Sequence, residues 1–299
     1  MKMVNLEEVS CNLCKSKESR ILYKANINRP YRKEMFYPTS STFKTENIVK
    51  CKNCGLVFAN PRPKRDSLTQ FYFSGEDEKY IEQQKERSKT FQKVMKFIET
   101  FQPCGRILDI GCGAGFLLSV AKEKGWQVKG IELNQFFTNF AVSELKVDAI
   151  NDMAENVELK PNLFDVIVIW DTLEHVLNPY EILSKAHSWL KKGGYIFINF
   201  PNINSIFARV FRRKWWFIES MHLYYFSPDI INKYFNKIGF KYLQKKRHIQ
   251  TLKLGYLISK LRPHRLFFYN IISNVIKFVK LQDLDIQYYA GQLIIVGQK

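Results

Sequence analysis

The sequence predicts an α/β fold with a mostly parallel sheet covered by helices on both faces. Three observations predict it. The apolar stretches VIVIW (166–170) and YIFIN (195–199) are short and continuous, as strands buried on both faces are. They alternate with stretches of helical periodicity from about 105 to 200. A glycine-rich turn, GCGAG at 111–115, sits between the first such strand and the first such helix.

The order of elements follows from these signals. Residues 1–75 are rich in Cys and Pro, and Tyr-Pro and Asn-Pro-Arg-Pro oppose long helices, so this segment is expected to be a small metal-stapled module. From 76 to 104 a connecting helix is expected, with Phe91, Val94, Met95 and Ile98 at helical spacing. Pro103 and Gly105 end it. The strand of RILDI follows, then the glycine turn and a helix at 116–124. Strands at 127–133, near 149, at 165–170 and at 195–200 alternate with helices at 135–144 and 179–190. A basic aromatic stretch, FARVFRRKWWF, precedes a helix ending near Ile238, a strand near 239–243 and a last strand, QLIIVGQK. An apolar insertion of roughly 251–286 lies before that last strand and exceeds an ordinary loop. The main domain is thus expected over 105–299.

Composition narrows the function. With 299 residues, 46% of them hydrophobic, the chain can bury a full core, so it is neither disordered nor fibrous. The first residues hold no apolar export segment, and no run reaches the ~18 to 20 apolar residues that cross a bilayer. A cytoplasmic protein is expected, with attachment to the inner membrane surface left open. The net charge of +18 favours anionic partners, or reflects lysines spread over solvated faces; composition alone does not choose.

At 109–115 backbone amides and a helix amino end converge on one crevice where a carboxylate or phosphate fits. Glu132 ends the next strand, where a carboxylate can accept two hydrogen bonds from a ribose diol. Together the two features specify an adenosine-type cofactor. A dinucleotide fingerprint wants a glycine where Phe116 stands.

Here the sequence resembles the class I, Rossmann-like methyltransferases, whose first motif is an acidic strand end followed by Gly-x-Gly-x-Gly, matched by Asp109 to Gly115. The resemblance implies a seven-stranded sheet and an S-adenosylmethionine cofactor. It implies that Asp109, Gly111, Gly113 and Gly115 border the methionine part, Glu132 holds the ribose, Asp152 and Met153 sit by the adenine, and Trp170 lines the pocket. The stretch WDTLEHVLNPYEIL is similar to one found after the fourth strand of small-molecule methyltransferases and offers Glu174 and His175 at a site-forming strand end.

Cys11, Cys14, Cys51 and Cys54 form two Cys-x-x-Cys knuckles, and four thiolates without an open position imply a structural zinc ion. The segment GLVFANPRP resembles that found after the second knuckle in bacterial methyltransferases bearing an N-terminal zinc domain, several of which act on sugar derivatives. Such a module, packed on the sheet's open edge, is expected to cover the acceptor.

His222, in MHLYYFS, resembles a His-x-x-x-Phe-Ser stretch of that group and is the leading base candidate, with Tyr224 as helper and His175 as a second base. Arg209, Arg212, Arg213 and Lys214 precede Trp215 and Trp216, which suits gripping a pyrophosphate beside a sugar or base. The acceptor is expected to be a small, anionic or sugar-containing molecule, plausibly a nucleotide-linked or lipid-linked sugar. The alternative is RNA, prompted by charge and zinc; against it, Trp170-Asp171-Thr172-Leu173 replaces the Asn/Asp-Pro-Pro-Tyr of base-amine methyltransferases. In the insertion, Asn270, Ser273, Asn274 and Lys277 share one helical stripe, with Phe267, Phe268, Ile271, Val275 and Phe278 around the rest. That segment, about 260–280, is expected to bury itself in a core or dimer, or to rest on anionic lipid.

Overall fold

The computed structural model describes residues 5–25, 33–40, 46–73, 75–261, 276, 278–279 and 281–299. Its amino-terminal part holds β1 (Leu6–Glu7), β2 (Ser19–Tyr23), β3 (Ile48–Cys51), β4 (Val57–Ala59), β5 (Arg62–Pro63) and α1 (Arg65–Phe73). Then come α2 (Glu78–Ile81) and α3 (Gln84–Ile98), β6 (Arg106–Ile110), α4 (Phe116–Glu123), β7 (Gln127–Glu132), α5 (Gln135–Ser143) and β8 (Ala149–Asn151). The second half holds β9 (Phe164–Trp170), α6 (Pro179–Trp189), β10 (Leu190–Pro201), α7 (Ile206–Phe211), β11 (Tyr224–Tyr225), α8 (Pro228–Ile238), β12 (Lys241–Lys253), α9 (Leu254–Leu261) and β13 (Asp285–Gln298).

Seven strands form the main sheet in the order β12-β13-β10-β9-β6-β7-β8. The links β10–β9, β9–β6, β6–β7 and β7–β8 are parallel, and β13 runs antiparallel to both its neighbours. The continuous apolar runs have a direct cause. Along β9, Val166 and Val168 face the layer containing Val94, Met95, Leu117, Leu118 and Phe137, while Ile167 and Ile169 face Ile182, Leu183, Ile231 and Phe235. A period of two with both faces buried leaves no position for a polar residue.

Helix starts are written in the sequence as caps. Asn178 and Ser227 accept from the amides of Glu181 and Ile230, and each is followed by a proline at the first helical position. Gly239, at φ 110°, ends α8 in the left-handed conformation.

Two expectations are corrected. The strand expected near 239–243 runs on to Lys253, and the last strand begins at Asp285, pairing Lys253 with Asp285. Short-range patterning misses this extension because its burial comes from α3, where the Thr90 hydroxyl accepts the Thr251 amide. The cysteine-bearing part also does not sit on a sheet edge. Asn12 bonds to Asn178, Tyr180 and Tyr234, and Lys233 and Lys237 donate to the carbonyls of Cys54 and Leu13, so it packs on α6 and α8. Its four-stranded antiparallel sheet, β11-β4-β3-β2, takes one strand from late in the chain. Of the late insertion, residues 262–275, 277 and 280, with the polar stripe assigned to them, lie outside the described residues.

Candidate active site

The carboxyl ends of β6, β7 and β9 open into one cavity of about 630 Å³, closed over by α1, α3, α9 and the loop carrying His222. Asp109, Gly111, Gly113, Glu132, Asp152, Met153, Trp170, His175 and His222 all line it. The topology explains this, since ligands of open parallel sheets bind beyond the strand ends where order reverses, here between β6 and β9.

At the glycine turn, Gly111 has φ +78°, and a Cβ there would lie 2.3 Å from the Thr172 hydroxyl oxygen. Gly113, at φ +53°, lies beneath Tyr80, whose hydroxyl would be 3.2 Å from an added Cβ. No side chain fits either position without displacing its neighbour. The expectation that the turn's amides jointly receive an anion is corrected. Gly111 and Cys112 both donate to the Ile131 carbonyl, Gly115 to Cys112, and Gly113 to Glu132 Oε2 at 2.8 Å. The donors left are the Ala114 amide and the first-turn amides of α4, starting at Phe116 and Leu117, whose cap residue Gly115 offers no side chain.

Glu132 therefore does two things. Its Oε1 accepts the Asn134 amide and its Oε2 the Gly113 amide, fixing both loops, while each oxygen keeps a lone pair toward the cavity. Burial raises its pKa, opposed by these backbone donors. Asp109, 2% exposed, has an Oδ1 with no partner, and burial together with Glu132 pushes its pKa up to about 8. A buried carboxylate without a partner calls for a cation, and an amino-acid ammonium fits. These features match a cofactor carrying an amino acid and a ribose.

Tyr80 stacks on Phe116, and the Arg87 guanidinium lies 4.2 Å from the Tyr80 ring centroid, so α2 and α3 roof the glycine turn. Asp152 accepts from the Met153 amide and from Asn156, and Arg65 reaches Met153 Sδ at 3.6 Å. Trp170 packs edge-on against Phe91 and His248.

The other end of the cavity is set by two loops. The Glu174 carbonyl accepts the amides of Leu223 and Tyr224, bringing His175 and His222 to a ring separation of 4.7 Å. His222 Nδ1 lies 2.7 Å from the Phe217 carbonyl. A carbonyl cannot donate, so Nδ1 carries the proton and Nε2 is the bare nitrogen, 4.0 Å from Glu219. Burial and His175 hold the His222 pKa well below the usual range, and burial lowers His175 to about 4. Both rings are neutral near pH 7. Glu174 is 2% exposed and neither carboxylate oxygen has a partner; burial and Asp171 raise its pKa well above the usual range.

Tyr224 is not part of this cavity. Its hydroxyl donates to the Leu177 carbonyl at 2.9 Å and accepts from Arg62, in a separate polar cleft. Strand alternation decides this, because β11 turns Tyr224 and Tyr225 to opposite sides. The hydroxyl near the histidines belongs to Tyr72, 3.2 Å from His175 Nδ1. Sequence reasoning missed Tyr72, and also a polar array in which Tyr288 donates to Gln250, Gln250 to Gln292, and Gln292 to Asp171 Oδ1. Asp171, at φ 48°, was adjacent to the family-like stretch and could have been found there. Among the described residues, eight carboxylate side chains line the cavity against one cationic side chain, Arg87.

Buried acids make stability depend on pH. A carboxyl whose folded pKa is raised stabilises the fold while protonated and loses that contribution as pH rises toward the folded value. For Asp109 the window runs from about 4 to about 8. The cofactor-free protein is expected to lose on the order of 1 kcal/mol per pH unit between pH 6 and 8 for this group. Bound S-adenosylmethionine is expected to flatten the slope, since its ammonium favours the ionised acid. Urea titrations at several pH values, with and without cofactor, check this; an unchanged slope would refute the assignment of Asp109.

A model of the methyltransferase domain matches residues 80–245, which is more than half of the chain. The chain belongs to the methyltransferase-domain family. The methyltransferase is 33% identical over 109 residues to the ubiquinone biosynthesis O-methyltransferase of Pseudomonas aeruginosa strain LESB58, an overlap of 33% of this chain and 45% of that protein. To its namesake from Burkholderia ambifaria strain MC40-6 it is 37% identical over 105 residues, with the same coverage. The chain thus spans less than half the length of these curated relatives. Among solved structures, a SAM-dependent methyltransferase from Archaeoglobus fulgidus matches with a TM-score of 0.50 and 22% identity, covering 71% of this chain and 94% of that one. The YcgJ protein of Bacillus subtilis matches with a TM-score of 0.50 and 17% identity over 70% and 97%. These two show the fold.

The four cysteines meet at the junction of β3 with the first loop. Their sulfurs lie within 4.8 Å of one another, with Cys11 and Cys54 3.4 Å apart and Cys14 and Cys51 3.5 Å apart. A tetrahedral zinc ion with Zn–S of about 2.3 Å needs sulfurs roughly 3.8 Å apart. Burial pushes the Cys54 thiol up to about 11 and Cys11 higher still, so thiolates there call for a cation at their centre. The donor set fits zinc.

Proposed function

We propose that the protein transfers the methyl group of S-adenosylmethionine to a small molecule whose reacting end is a neutral sugar and whose anionic carrier stays outside the cavity. The single observation that carries this is one cavity joining Asp109 and Glu132 to Glu174, His175 and His222. In its cofactor end, Asp109 takes the ammonium, the first turn of α4 the carboxylate, Glu132 the ribose diol, and Asp152 with Met153 the adenine. Gly111 and Gly113 keep the backbone close to the ligand, and Trp170 walls the pocket; Gly115 does not line the cavity and instead packs against Ala141, 2.9 Å from an added Cβ. When bound, the cofactor supplies an electrophilic sulfonium methyl.

His222 Nε2, neutral and bare, takes the proton of the acceptor group as it attacks, and Phe217 holds the ring in that tautomer. His175, tied at Nδ1 to the Met221 carbonyl, and Tyr72 position the acceptor. The aromatic walls, including Trp216 and Phe217, suit a sugar face, and among the described lining residues a phosphate would find one cationic side chain, Arg87. An anionic reacting end, and with it an RNA substrate, gains no support from this lining. Arg209, Arg212 and Lys214 are exposed outside the cavity and suit the phosphate of a nucleotide or lipid carrier.

Cys11, Cys14, Cys51 and Cys54 would hold a structural zinc ion within 1–75, with 76–104 linking that module to a catalytic domain over 105–299. No helix among the described residues is long and apolar enough to cross a membrane.

The test is transfer of a labelled methyl group to a panel of nucleotide-linked and lipid-linked sugars. The His222→Ala variant is expected to lose about 10²- to 10⁴-fold in turnover while binding S-adenosylmethionine as the parent does. Full turnover in that variant would remove His222 as the base. Absence of calorimetric S-adenosylmethionine binding by the folded parent would end the whole reading.

A further inference from the structure

We propose that α7, the loop after it and the exposed side of β12 form a docking face for an anionic lipid membrane. The charge of the chain is not evenly spread. Segments 206–218 and 241–282 contain fourteen Lys and Arg residues and no Asp or Glu, leaving 32 basic against 28 acidic side chains elsewhere. Most of the +18 therefore belongs to these two segments. They also carry most of the exposed apolar surface. Of the thirteen large hydrophobic side chains exposed among the described residues, seven lie in them, including Ile206 at 69%, Val210 at 67% and Phe278 at 88%.

Among the described residues, α7 and β12 approach Tyr289 of β13 from either side. Ile206 and Val210, one turn apart on α7, point outward, while Phe207 packs inward against Trp216 and Tyr289 at ring separations of 5.3 and 5.9 Å. Tyr289 is paired with the exposed Ile249 on β12, and the Arg247 guanidinium lies 5.5 Å from the Tyr289 ring. Outward aliphatic side chains beside cations such as Arg209 and Arg247 are what a face resting on acidic headgroups needs: the aliphatics enter the acyl boundary and the cations meet phosphate. A nucleic acid would reward the cations but not exposed Ile and Val.

Trp216 and Tyr289 also line the cavity, so a membrane on this face would lie against its mouth. That geometry selects a lipid carrier over a nucleotide carrier for the acceptor. The choice of carrier rests on the function proposed above, whereas the docking face itself does not.

The test uses the full chain and vesicles of phosphatidylcholine with or without phosphatidylglycerol, read by co-sedimentation at low and high salt. Binding is expected only to the vesicles containing phosphatidylglycerol and is expected to weaken as salt rises. The double variant Ile206→Glu, Val210→Glu is expected to bind those vesicles about tenfold more weakly or worse. Because both side chains are outside the cavity, its S-adenosylmethionine affinity should match the parent's, which separates a docking failure from a failure of the methyltransferase reading. Equal binding to both vesicle types, or a double variant that binds like the parent, would overturn the proposal. So would a dimer that this variant dissociates in the absence of vesicle binding, or tighter binding to a short RNA duplex through the same residues.

Discussion

Replacing Glu132 with alanine is expected to weaken S-adenosylmethionine binding by on the order of 10²- to 10³-fold, the largest functional loss from any single cofactor-side residue. The reason is that one carboxylate carries two jobs. It fixes the amides of Gly113 and Asn134 and offers its remaining lone pairs to a diol. Hydrogen bonds to a charged group contribute about 1.5 to 3 kcal/mol each, and alanine also leaves two buried amides without acceptors. Glu132→Gln keeps an oxygen for one loop but places an amide donor toward the other, so an intermediate loss is expected. Calorimetry on folded variants measures this. Parent-like affinity in Glu132→Ala would mean that the diol is held elsewhere and that the cofactor reading of the strand ends is wrong.

Cys51→Ser, or chelation of the parent, is expected to give the largest loss of stability, several kcal/mol, seen as a fall in melting temperature of roughly 5–10 °C. The cysteines hold more than their own loop. Cys11, Leu13, Leu56 and Phe58 share a buried cluster with Phe200, Phe226 and Tyr234, and Arg62 bridges to the Leu177 carbonyl. Loosening the knuckles therefore loosens the packing of α6 and α8. The end of the cavity proposed to hold the cofactor stands on β6 and β7, away from the sulfurs, so S-adenosylmethionine affinity below the melting range is expected to persist. Metal analysis and thermal melts of parent and variant decide the matter. Unchanged metal content and melting in Cys51→Ser would exclude a four-thiolate ion.

The meeting of the glycine turn with Glu132 is legible in the sequence, because it is built from nearby residues. A glycine turn ending one strand and a carboxylate ending the next are close in sequence, and the parallel sheet brings them together: Gly113 and Glu132 meet because Ile110 pairs with Ile131. The acceptor side is different. His175 and His222 come together through the Glu174 carbonyl, and Tyr72 joins them from a helix about a hundred residues earlier. Nothing local announces such a meeting. The placement of Tyr224 failed for a related reason: two adjacent tyrosines on a two-residue strand must face apart, and only the pairing of β11 with β4 says which one faces the histidines.

The sequence alone determined the layered α/β fold, since period-two burial on both sheet faces and capped helices leave few other arrangements. It also determined the four-cysteine cluster, since matched pairs of soft ligands have one common use. The tertiary structure decided which amides of the glycine turn remain free, the carboxylate-rich character of the cavity against a strongly basic chain, and the approach of α7 and β12 to Tyr289 from either side. Those properties depend on which side of a strand or helix is buried by partners distant in the chain, and that is fixed by packing.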